Sequence, residues 1–131
     1  LARLLLLVRG ETLDEGLKRL KASLKNFGIN ESVINTISHE NIILGDLAFT
    51  DDFIHDARIN DITHVINCAA VASFGNNPTI WKVNVEGTFR FAERLSRIGR
   101  LKKFIHVGTA MSCVPEPGSL VTEGGLHASR G

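Results

Sequence analysis

Ile62-Thr63-His64-Val65-Ile66-Asn67 runs straight into Cys68-Ala69-Ala70-Val71-Ala72-Ser73-Phe74, and this junction decides how the rest of the chain is read. The first six residues suit a short strand, while the small side chains after them let another molecule approach the backbone closely. Working outward, three more apolar runs end as abruptly: Arg3 to Val8 before Arg9-Gly10, Asn41 to Leu44 before Gly45-Asp46-Leu47, and Phe104 to Val107 before Gly108-Thr109. Each is short, and Arg3 to Val8 is continuously apolar, which suits a strand covered on both faces in a parallel sheet.

Helical patterns separate them. Thr12 with Glu15 three residues on is a capping-box pattern, and Leu13, Leu17, Leu20, Leu24 and Phe27 recur at helical spacing before Gly28. Asn77-Pro78 supplies a cap and a helix-compatible proline, after which Trp81, Val85, Phe89, Ala92 and Leu95 trace one face as far as Gly99. Asp51 to Ala57 predicts only a brief helix or turn. Strands alternating with helices predict an α/β fold, a doubly wound parallel sheet whose ligands sit beyond the carboxyl ends of the strands. The informative residues are then Arg9, Asp46, the segment from Cys68 to Phe74, and Gly108-Thr109.

Composition narrows the function classes. The 131 residues fit one domain, and fifteen Lys+Arg against fourteen Asp+Glu leave a net charge of +1, so no broad field favours nucleic acid or an anionic membrane. Phosphate recognition, if present, is local. Leu4 to Val8, the longest apolar run, is far short of the roughly 20 residues a membrane span needs. Cys68 and Cys113 show no metal-ligand spacing; Cys68 reads as a small hydrophobe within its apolar run, and a reducing cytoplasm is the expected location. His64 and His106 alternate with apolar residues and read as neighbours of the core rather than metal ligands.

Gly45-Asp46-Leu47, Asn67-Cys68-Ala69-Ala70, Asn84-Val85-Glu86-Gly87-Thr88 and Phe104-Ile105-His106-Val107-Gly108-Thr109-Ala110, in that order and spacing, resemble the extended short-chain dehydrogenase/reductases. Within them the chain is most similar to the thioester reductase and fatty acyl-CoA reductase branch, over about residues 3 to 123. The tail 124–131 is unassigned, leaving 1–123 as a partial NAD(P)-binding Rossmann domain. The resemblance implies NADPH as cofactor and an acyl thioester, on CoA or a carrier protein, as substrate, with aldehyde or alcohol as product.

It also implies roles. Arg9, after the family's second strand, stands where a carboxylate would read a ribose 2′-hydroxyl and an arginine a 2′-phosphate; Arg19 is the branch's second arginine. Asp46 and Leu47 match the pair at the adenine edge, although a turn-forming Asp is an equal reading of Asp46. Ala69 and Ala70 match backbone beside the pyrophosphate and ribose, and Val107 and Gly108 lead to Thr109, the hydrogen-bond donor to the substrate carbonyl. Ser112 is the alternative if the register is displaced. Asn84 and Gly87 read as structural, since a mid-helix glycine costs roughly 1 kcal/mol unless close packing requires it.

Two family features are absent. The chain has no tyrosine, hence no Tyr-x-x-x-Lys proton donor, and its twelve glycines form no Gly-x-x-Gly-x-x-Gly turn for a pyrophosphate. The expectation is a fragment lacking the first β-α unit. In the strand order 3-2-1-4-5-6 that unit's strand is central, so the remaining strands should fall into two separate pairs. The rival enzyme reading, a sugar-nucleotide epimerase or dehydratase, favours NAD and an acidic residue where Arg9 stands; the rival of another class is a non-catalytic nucleotide-binding or interaction module.

Overall fold

The computed structural model describes residues 3–73, 76–109 and 117–118. Phe74, Ala110, Ser112, Cys113 and the stretch 119–131 lie outside the described residues. Four strands, β1 (Leu6–Val8), β2 (Ile42–Leu44), β3 (His64–Asn67) and β4 (Lys103–His106), form two parallel pairs, β1 with β2 and β3 with β4. This is the split expected of a Rossmann sheet whose central strand is not among these residues.

Helix α1 (Leu13–Asn26) begins as its sequence predicts. The Thr12 side chain accepts from the Glu15 amide at 3.2 Å. The Glu15 carboxylate reaches past the cap residue and accepts from the Glu11 amide at 2.9 Å. Gly28 ends the run at φ 73°, a backbone conformation that side chains with a Cβ resist. Short segments follow: α2 (Glu31–Ile34) and 3-10 turns at His39–Asn41, Leu47–Asp52 and Ala57–Asp61.

The second crossover is one long helix in three parts: α3 (Pro78–Trp81), a π-helical stretch Lys82–Gly87, and α4 (Thr88–Ser96). Asn77 caps it through the Thr79 amide at 3.0 Å. Its buried face matches the predicted one only toward its C-terminal end. Val83, Gly87 and Leu95 are buried and Phe91 packs on the core, whereas Trp81, Val85 and Phe89 are 63%, 43% and 68% exposed. Of the predicted stripe, Leu95 reaches the core; before it, both sides of the helix carry apolar residues, and periodicity alone selected the wrong one.

The core gathers Ile43, Leu47, Phe53, Ile59, Val65, Val83, Leu95 and Ile98. Phe91 links it to β4, with ring centroids 5.9 Å from Phe53 and 6.4 Å from Phe104. On the opposite face α1 covers β1 and β2 through Gly16, where an added Cβ would meet Leu44, Val8 and Ile42. Nothing among the described residues covers the equivalent face of β3 and β4, and Ile66 is 70% exposed there. The histidines correct the sequence reading: His64 and His106 are exposed, bonded to Thr63 and Asn67 respectively. Phe27, expected on the packed face of α1, is 82% exposed. No helix among the described residues is long and apolar enough to cross a membrane.

Candidate functional site

A cleft of about 460 Å³ opens at the carboxyl ends of β1, β2 and β3. Arg9, Arg19, Asp46, Leu47, Ala69 and Ala70, six residues singled out from the sequence, all line it. They come from four different places in the chain: each parallel strand delivers the residues that follow it to the same edge, and α1 brings Arg19 beside them.

Arg9 follows β1 and its guanidinium lies 4.0 Å from an Asp46 carboxylate oxygen. Arg19 sits two turns into α1 and donates from Nη1 to the Arg9 carbonyl at 2.9 Å. This bond anchors one nitrogen of the Arg19 fork near Arg9, so two cationic groups share one rim. Asp46 makes the turn through Oδ1, which accepts from the Ala48 amide at 2.9 Å, and Oδ2 is the carboxylate atom facing Arg9.

The facing wall is uncharged. Cys68, Ala69 and Ala70 are exposed, so Cys68 is a cleft residue and not the buried hydrophobe that its apolar run suggested. Buried Asn67 accepts from the Ala69 amide at 3.2 Å, which turns the chain out of β3. Asn84 then clamps the next residue from both sides: its side-chain oxygen accepts from the Val71 amide at 2.8 Å and its nitrogen donates to the Val71 carbonyl at 3.2 Å. Gly87 completes the arrangement, because a Cβ there would run into the Leu47 carbonyl oxygen. The Asn-Val-Glu-Gly-Thr pattern therefore ties the long helix to the loops after β2 and β3.

Ser23 and Thr79 also line the cleft and were missed. Ser23 was findable, being one helical turn beyond Arg19 on the same face. Thr79 was not, because its position depends on how the long helix enters. Val107, Gly108 and Thr109 follow β4, are exposed, and stand apart from the cleft lining; the Val107 amide extends the ladder to the Asn67 carbonyl at 2.9 Å.

No curated protein and no solved structure matches the chain. Residues 1–125 match the family model described as male sterility protein, an NAD-binding family; with its parallel β-α-β pairs and strand-end cleft, the chain belongs to that family, as a partial Rossmann-type domain of the fatty acyl-CoA reductase kind.

Proposed function

We propose that the cleft receives the adenosine end of NADPH, and that the chain is part of a reductase acting on an acyl thioester of CoA or a carrier protein, with aldehyde or alcohol as product. The observation that supports this most is the convergence of Arg9 and Arg19 on one rim, 4.0 Å from Asp46 in the case of Arg9. A lone carboxylate would suit the free 2′-hydroxyl of NADH, while guanidinium groups suit a 2′-phosphate through charge-assisted bonds. Arg9 also argues against a sugar-nucleotide epimerase, where an acidic residue is expected.

The residues fit such a cofactor. Arg9 and Arg19 hold the phosphate, Asp46 and Leu47 border the adenine, and the small Ala69 and Ala70 let ribose and pyrophosphate approach their backbone. Val107 and Gly108 lead toward the reacting end, where the cofactor supplies hydride. The Thr109 hydroxyl donates to the substrate carbonyl oxygen and stabilises the negative charge that grows there. The chain contains no tyrosine, so proton delivery of the Tyr-x-x-x-Lys type is not a role of its residues.

Titrating NADPH and NADH against Arg9→Ala tests the reading. NADPH should weaken by about 1.5–3 kcal/mol with NADH nearly unchanged. An equal loss for both cofactors, or no loss, rejects the assignment.

A further inference from the structure

Ser23 lines the cleft from the last turn of α1, four residues after Arg19. That spacing stacks the two side chains on one face of the helix, one turn apart. In helices a serine or threonine hydroxyl commonly turns back onto a carbonyl of the preceding turn. Ser96 does so, donating to the Glu93 carbonyl at 2.7 Å, and Thr88 donates to the Val83 carbonyl at 3.2 Å. The Ser23 hydroxyl makes no hydrogen bond among the described residues. It is an exposed donor at the rim where two guanidinium groups already meet.

Those guanidinium groups are partly committed. Arg19 uses Nη1 on the Arg9 carbonyl at 2.9 Å, and Arg9 faces the Asp46 carboxylate at 4.0 Å. A phosphate monoester presents three terminal oxygens, all strong acceptors. One arginine tied to the backbone and another turned toward a carboxylate leave acceptor positions for a further donor.

We infer that Ser23 determines cofactor specificity: its hydroxyl donates to the 2′-phosphate of NADPH, as a third ligand beside Arg9 and Arg19. This rests on the reading of the cleft as the adenosine end of an NADPH site. A phosphate extends further from the ribose than a hydroxyl does, so a donor one turn along from Arg19 reaches the first and not the second.

Two nucleotide pairs titrated against the complete reductase test it: NADPH with NADH, and adenosine 2′,5′-bisphosphate with adenosine 5′-monophosphate. Ser23→Ala removes the donor and installs a better helix former, and the backbone bond from the Phe27 amide to the residue 23 carbonyl stays, so the fold is kept. NADPH and the bisphosphate should weaken about tenfold, with NADH and the monophosphate unchanged to within about twofold. Ser23→Thr keeps the hydroxyl and should retain most of the affinity. Ser23→Asp sets a carboxylate against the phosphate and should weaken NADPH by at least about a hundredfold while sparing NADH. Equal losses for both members of a pair in Ser23→Ala, or no loss, would overturn the inference, as would a loss in Ser23→Thr as large as in Ser23→Ala. Arg9→Ala separates the two levels: if it weakens the bisphosphate selectively and Ser23→Ala does not, the role of Ser23 alone falls. If the unsubstituted reductase binds bisphosphate and monophosphate equally, the NADPH reading and this inference fall together.

Discussion

The two strand pairs are built alike and used differently. Both are short and parallel, but β1–β2 lies between α1 and the core, while β3–β4 is packed on one face and bare on the other. The first pair delivers charge to the cleft through Arg9 and Asp46, with Arg19 from the covering helix. The second delivers only small, uncharged residues, Ala69 and Ala70. On the proposed reading a long guanidinium must be oriented to discriminate, and the bond from Arg19 to the Arg9 carbonyl anchors one such group. Close approach needs only that side chains stay out of the way, and a turn held by Asn67 and Asn84 achieves it.

The largest expected effect sharpens this division. Thr109→Val, in the second half, should lower turnover of the complete reductase by about 10²–10³-fold while leaving NADPH affinity largely intact, the reverse of Arg9→Ala. Steady-state rates beside a cofactor titration decide it; a near-normal rate moves the role away from Thr109.

Next comes the joint between the halves. Gly87→Ala drives a methyl group into the Leu47 backbone, which cannot yield as a side-chain end would. Urea unfolding should show a loss of roughly 2–3 kcal/mol. An unchanged midpoint would mean that the two pairs are not joined there.

Asn84→Ala breaks both bonds to Val71 and leaves a partly buried amide and carbonyl unpaired, a cost of about 2 kcal/mol. Because the loop it frees carries no charge, NADPH and NADH should weaken together. A selective loss of NADPH would contradict the division between a discriminating half and a permissive one.

The smallest effect is a pH dependence confined to the first half. The Arg58 guanidinium, 2.7 Å from Asp56, holds that carboxyl below the usual aspartate range, and Arg58 also donates to the Ile42 carbonyl at 3.0 Å. A lowered folded-state pKa makes the contribution present above the unfolded value of about 4 and lost as pH falls through the folded value. For this partly exposed pair it amounts to about 1 kcal/mol. Asp56→Asn should flatten that part of the acid limb in a stability-versus-pH series; an unaltered limb would assign it to other carboxylates.

Much of the fold and the charged rim was legible before any coordinates. The four runs located each strand among the described residues to within a few residues, because every one of these strands has at least one apolar face to bury. Residues after strands are legible for the same reason: parallel order brings them to one edge. The first part of the long helix was read on the wrong face because Trp81, Val85 and Phe89 are as periodic as Val83, Gly87 and Phe91, whereas Leu95 was read correctly. A helix with two apolar sides gives no internal sign of which one meets the sheet, and its π turn shifts the phase midway. Cys68, His64 and His106 misled because alternation along a strand shows that two faces exist, not that both are covered.

Determined by the sequence alone, then, were the α/β alternation and the arginine at the first strand end, since these follow from local pattern and the order of elements, while the division of strands into two pairs was implied by the family resemblance. Only the tertiary structure decided that Arg19 reaches back to the Arg9 carbonyl, that Asn84 grips Val71, and that Gly87 admits the Leu47 carbonyl. Those contacts join residues ten to forty positions apart, and no local propensity encodes a distance between groups that meet only when separate elements have packed.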